Sequence, residues 1–173
     1  MYPTEFVEYM VHFHGDRDYF ECHEILEEYW KRIDPGNKES IWVGFIQLAV
    51  ANYHHRRTNI MGAKRTLEKA IAIFKSQSEV ITQLGLEYTK LIEDLNGRLS
   101  EIEKRLPYSS MVLPICNSSL LEECKHSCKR TGFDWGKHSD LTNASLVHRH
   151  KLRDRTGVLE ERERAFSIKK RQR

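Results

Sequence analysis

The sequence predicts an all-α protein: a compact antiparallel helical bundle with a short extended segment and a polar C-terminal extension. Three observations carry this. Apolar residues recur every three or four positions through most of residues 1–106, the period of a helix face. No run before residue 110 alternates at the strand period. One segment, residues 40–57, is apolar on nearly every side, so other helices must surround it. A chain of 173 residues is long enough for one domain with its own core and an appendage.

The elements follow in order. Residues 3–12 predict a short helix with Phe6, Tyr9, Met10 and Phe13 on one side, broken at His14, Gly15 and Asp16. A second helix, 16–33, repeats Tyr19, Cys22, Leu26, Tyr29 and Ile33 at helical spacing, and the turn-rich stretch Asp34-Pro35-Gly36-Asn37 stops it. Ser40 is the expected N-cap of the central apolar helix, which closes at Thr58-Asn59. The next helix carries Ala63, Leu67, Ala70 and Phe74 inward, and a last long helix spans about 78–105, with Gly85 and Gly97 inside it and Pro107 after it. Pro114 forces the stretch 111–116 to be extended. A capping box, Ser119 with Glu122, opens a further helix that stops at Gly132. Residues 133–146 read as loop, and 147–171 as a charged helix with few apolar anchors. The expected division is therefore a bundle at 1–106, an appended extended segment and short helix at 107–146, and a basic tail at 147–173.

Charge and cysteine usage narrow the class. Residues 147–173 hold ten Lys or Arg and four Asp or Glu, a net +6 against +3 for the whole chain, so residues 1–146 carry −3. The basic character belongs to the tail. No basic start followed by an apolar run opens the chain, and no apolar stretch approaches 18 residues, so the expectation is a cytoplasmic protein with no membrane contact. Cys22, Cys116, Cys124 and Cys128 are then expected as reduced thiols.

One region exceeds a plain helical domain. In the second helix, His23, Glu24 and Glu27 fall beside the apolar positions, and in the central helix Gln47 and His54 lie two turns apart on an otherwise apolar face. An antiparallel hairpin about Asn37 sets residues opposite one another when their numbers sum to about 74. Trp30 then faces Gly44, Glu27 faces Gln47, and His23 comes within a turn of His54. Burying such groups singly costs several kcal/mol each, on the order of the transfer penalty for polar side chains, so they should form one network. Three readings follow: a polar cluster that fixes packing; a divalent-metal site with His23, Glu27 and His54 as ligands and water in the fourth position; or a pocket in which His23 and Glu27 or Glu24 do acid–base work on a small molecule, oriented by Gln47, with Trp30 in its wall.

These residues also carry a resemblance. "FHGDRDYFECHEILEEYW" and "WVGFIQLAVANYHHRRTNIMGAKRTLEKA", over about residues 8–75, resemble the uncharacterised prokaryotic family catalogued as domain of unknown function 309. The family pattern falls on Tyr19, Phe20, Glu21, His23, Glu24, Glu27 and Trp30, then on Gly44, Ile46, Gln47, Ala49, Tyr53 and His54. The chain departs from it at Thr58-Asn59, where the family has Gly-Asn. The resemblance implies a compact all-helical bundle and assigns no activity.

Other patterns are less pointed. Ala51, Ala63, Leu67 and Ala70 are spaced as in one tetratricopeptide-type helix pair, which packs closely and can present a groove to a peptide. Cys124, His126 and Cys128 invite a metal reading, with His138 as a further donor, but on a helix the two thiols share the apolar face and the histidine does not. The tail offers Arg149, Lys151, Arg153, Arg155 and a terminal KKRQR for nonspecific contact with nucleic acid, with Phe166 its one aromatic residue. With no nucleophile motif, phosphate loop or cofactor fingerprint, an interaction or small-ligand-binding module stands ahead of an acid–base or metal-dependent hydrolase-type enzyme, and a protein or a small molecule ahead of nucleic acid as partner.

Overall fold

A computed structural model describes residues 1–149 and 163–164. Among them the chain is helical, with no strand beyond one isolated bridge between Leu86 and Ile115. The helices are α1 (Thr4–His14), α2 (Tyr19–Ile33), α3 (Ile41–Arg56), α4 (Ile60–Ser76), α5 (Ser78–Gln83), α6 (Tyr88–Glu103), α7 (Ser118–Thr131) and α8 (Ala144–Val147).

The apolar helix α3 is the hub. It packs most extensively on α4 and then on α2, while α1 bridges α2 and α7 and α6 packs on α4. Its buried Phe45 meets Phe6, Tyr9 and Phe74, an aromatic cluster that ties α1, α3 and α4 together. Ala51, Ala63, Leu67 and Ala70 are all buried, consistent with close approach of the two helix backbones. Gly44 explains part of that approach: a Cβ there would come 2.7 Å from the Phe74 ring. The small residue thus accommodates α4, not Trp30 as the hairpin register had it.

Helix α2 begins at Tyr19, three residues later than the periodicity predicts, because Arg17 adopts a left-handed φ of 58° and Asp18 caps the helix by accepting from the Glu21 amide. Ser40 does precede α3 but makes no capping bond. Asn59 caps α4 by accepting from Gly62. Just before it, Thr58 takes φ 63°. That is the position at which the resembled family carries glycine, so this chain places a β-branched residue in a conformation glycine adopts freely.

The expected helix at 78–105 is two helices. Gly85, at φ 81°, ends the first, and its carbonyl accepts from the Cys116 amide; Glu87 donates its amide to Pro114 and its side chain caps α6. The interruption is where the extended segment 111–116 crosses back over the bundle. Asn117, not Ser119, caps α7, accepting from Leu120, and Gly132 ends it in the left-handed conformation as expected. Cys124 and Cys128 are buried free thiols on its inner face, and burial followed by the nearby Glu123 pushes the Cys124 thiol up to about 12. Most of the charged helix expected over 147–171 lies outside the described residues.

Candidate functional site

The α2–α3 hairpin and α4 enclose an open groove of about 500 Å³. From α2 it is lined by His23, Glu27 and Trp30, from α3 by Val43, Ile46 and Gln47, from α4 by Lys69, Ala72 and Ile73, and at the hairpin loop by Lys38 and Glu39. Four of the six residues singled out in the sequence are therefore at this groove or on its wall. Trp30 is fixed there by its indole N–H, which donates to the Asn37 carbonyl across the loop at 3.0 Å.

The polar groups fall into two sets. His23 is held between two acids: Nε2 lies 3.0 Å from Glu27 and Nδ1 3.2 Å from Glu24, and Glu27 also meets Lys31 at 2.7 Å. The spacing of four residues stacks His23, Glu27 and Lys31 along one face of the helix, and Glu24 reaches the His23 ring from the adjoining face. The second set, the Gln47 amide and the ammonium groups of Lys38 and Lys69, has no hydrogen-bond or ion-pair partner among the described residues. These groups are free to meet something that enters the groove.

His54 is not part of this assembly. Its Nδ1 lies 3.2 Å from the Asn59 side-chain amide, its carbonyl accepts from the Asn59 backbone, and its ring packs near Gly62, so it braces the α3–α4 turn. Burial, then Arg57, lowers its pKa. The donors that do come together among the described residues are His23, Glu24 and Glu27, with one ligand atom from each within 4.8 Å of the others. Any ion there would have to compete with the existing pairs, Lys31 included.

The sequence missed a second polar region at the other end of the hairpin. Here α1 ends, α2 begins, α3 ends and the chain after Pro107 returns. Buried there are His14, Arg17, Asp18, Asn52, His55 and Arg56. Asn52 and Arg56 could have been noticed, since they stand one turn apart on a helix that is apolar almost all round. Arg17 could not: its burial depends on the chain near Met111 and Lys137, which accept from its guanidinium. His14 makes a neutral ring's two bonds, Nδ1 to the Met10 carbonyl at 2.8 Å and Nε2 accepting from the Leu113 amide at 3.0 Å. Burial drives its pKa down to about 3. Arg149, one of the cations expected to approach nucleic acid, instead pairs with Asp18 and with Glu21 and lies over the Phe20 ring.

Residues 6–66 match a family described as a domain of unknown function, DUF309. A protein of Bacillus subtilis (strain 168), named uncharacterized protein YpuF, is 46% identical over 173 residues, which is 100% of this chain and 99% of that one. No solved structure matches. No helix of the described residues is long and apolar enough to cross a membrane. The chain belongs to the DUF309 family.

Proposed function

We propose that this DUF309 protein is a small-ligand-binding module whose site is the groove between α2, α3 and α4. One observation carries the reading: an open cleft of about 500 Å³ combines an apolar floor, Val43, Ile46 and Ile73, with the Gln47 amide and two lysine ammonium groups that nothing in the described fold engages. Such a cleft suits an amphipathic molecule, its apolar body on the floor and against Trp30, its acidic or amide head toward Gln47 and the lysines. Glu27 and Glu39 on the rim select against a large polyanion.

The test is titration of isotope-labelled protein with a panel of small aromatic and aliphatic carboxylic acids and amides, read by amide chemical shifts. The expected result is a set of shifts confined to residues 23–30, 38–47 and 69–73, weakened at least tenfold by Gln47→Leu combined with Lys69→Glu. Shifts elsewhere, or none with any member of the panel, would overturn the reading. A parallel titration with zinc distinguishes a metal from an organic ligand: an ion held by His23, Glu24 and Glu27 would move their resonances alone and leave Ile73 unchanged.

A further inference from the structure

The far end of the hairpin holds a group of charges with no obvious use. Arg17 and Arg56 are only 1% and 6% exposed. Among the described residues no carboxylate lies within 4.0 Å of either guanidinium. Their donors go to neutral acceptors instead. Arg17 Nε donates to the Lys137 carbonyl at 2.8 Å and its Nη1 to that of Met111. Arg56 donates through Nη1 to the Arg17 carbonyl at 2.7 Å and to Ser139 Oγ at 3.0 Å, and through Nη2 to the Leu146 carbonyl at 3.3 Å. Arg56 Nε and the neighbouring Asn52 Oδ1 are buried with no partner. The Arg56 guanidinium lies 4.6 Å from the centre of the Tyr19 ring, whose hydroxyl bonds that of Tyr108.

A buried guanidinium is expensive unless a carboxylate or phosphate neutralises it; peptide carbonyls satisfy its donors but leave its charge uncompensated. Two such groups, both close enough to Tyr19 to act on its hydroxyl and joined through the Arg17 carbonyl, have neutral oxygens where an anion would fit. Three of those acceptors, Lys137, Ser139 and Leu146, belong to one stretch of chain that lies across the bundle and has little of its own regular structure. That stretch is held at its start by Trp135 stacked 4.4 Å from His14 and by the Gly136 amide on the His14 carbonyl. At its end it is latched by Arg149 to Asp18 and Glu21. Asp18, the buried acid just before α2, is committed to that latch and to capping the helix.

We propose that residues 137–149 are a strap over an oxyanion-binding site formed by Arg17, Arg56 and Tyr19, and that a phosphate or carboxylate group on a ligand replaces the strap's carbonyl oxygens when the Arg149 latch opens. Planar guanidinium forks fit two oxygens of such a group at once, and the Tyr108 ring, 6.0 Å from the Arg56 guanidinium, borders the site.

The experiment uses the full chain and its Arg149→Ala variant, whose altered side chain is 41% exposed in the wild type. Inorganic phosphate and benzoate are titrated against sodium chloride of equal ionic strength. Melting temperature and amide hydrogen exchange are both followed. The expected result is that at least one of the two anions raises the melting temperature of Arg149→Ala with an apparent affinity at least fivefold tighter than for the wild type, while exchange at 137–147 speeds up as the strap is displaced. Which anion acts tells a phosphoryl ligand from a carboxylate one. Arg56→Gln should remove the response. If that variant does not fold, the exchange measurement alone decides: stabilisation without faster exchange at 137–147 places the anion elsewhere and overturns the proposal, as does a failure of both anions to bind Arg149→Ala.

Discussion

At the loop end of the α2–α3 hairpin, polar groups line an open groove, and three of them, on Gln47, Lys38 and Lys69, are unengaged among the described residues. At the opposite end, His14, Arg17 and Arg56 are sealed under returning chain and bonded to backbone carbonyls. The difference is one of what covers them. Among the described residues the groove at the loop end is bordered by α2, α3 and α4 and stays open, whereas the far end also receives the segments 108–116 and 134–149. A polar group left to solvent can be changed at little cost, whereas one sealed against neutral partners holds its neighbours in place. The two ends should therefore respond very differently to substitution.

The largest effect is expected at the sealed end. His14→Ala removes a fully buried ring, leaves the Leu113 amide and the Met10 carbonyl without their partner, and undoes the stack with Trp135. The loss should be about 3 kcal/mol of unfolding free energy, the range for a buried side chain lost together with a satisfied hydrogen bond. Chemical denaturation of the variant measures it. A loss below about 1 kcal/mol, the size of an ordinary surface change, would mean that the seal carries no stability.

Acidification should act on the same residue without mutation. The folded pKa of His14, about 3, lies below the ordinary value of 6.5, so its contribution is complete above pH 6.5 and is lost as the pH falls from there toward 3. By pH 5 the cost should be about 2 kcal/mol from this ring alone, the integral of the proton-binding difference over that interval. Burial also lowers His54 and His55, which push the same way. His12 pushes the other way: burial opposes its charge, but Asp16 at 3.0 Å outweighs that, so its raised pKa favours the fold at low pH and is lost as pH rises through the folded value. His12 is the more exposed, so the solvent-screened term is the smaller one. The gap between the melting temperatures at pH 7.5 and 5.0 should be clearly smaller for His14→Gln than for the wild type, the remainder coming from His54 and His55.

What the sequence made legible follows the same division. Periodicity located α1 to α4 because each has a continuous apolar face and a capped or turn-rich end, and it brought Glu27 and Gln47 to one groove. It ran α5 and α6 together because the interruption at Gly85 is imposed from outside, by the amides and carbonyls of residues 114–116. It placed Gly44 against Trp30 because a hairpin register sees two helices, while the third, α4, is what the glycine admits. Arg17 was invisible for the same reason, its partners being about 90 to 120 residues away, whereas Arg56 and Asn52 stood out on an apolar helix and only their partners were hidden.

The smallest effect is expected where the sequence raised the sharpest question. Had His23 been buried in a network with His54, its removal would have cost on the order of 1 to 3 kcal/mol, the penalty for an orphaned buried partner. Instead its side chain is 27% exposed, and it pairs with Glu24 and Glu27 along a single helix, with Lys31 already serving Glu27. Pairs of this kind contribute about 0.2 to 0.5 kcal/mol and are screened by salt. Alanine is moreover a better helix former than histidine, by up to about 0.7 kcal/mol. The two terms nearly cancel, so His23→Ala should melt within about 2 °C of the wild type, as expected for a change near 0.5 kcal/mol in a domain of this size. If the groove is a binding site, the same variant should still lose affinity for whichever acid or amide shifts Gln47. Unchanged stability with weakened binding is the pattern that separates a residue kept for a ligand from one kept for packing. A large loss of stability would instead tie His23 to the core and erase the contrast between the two ends.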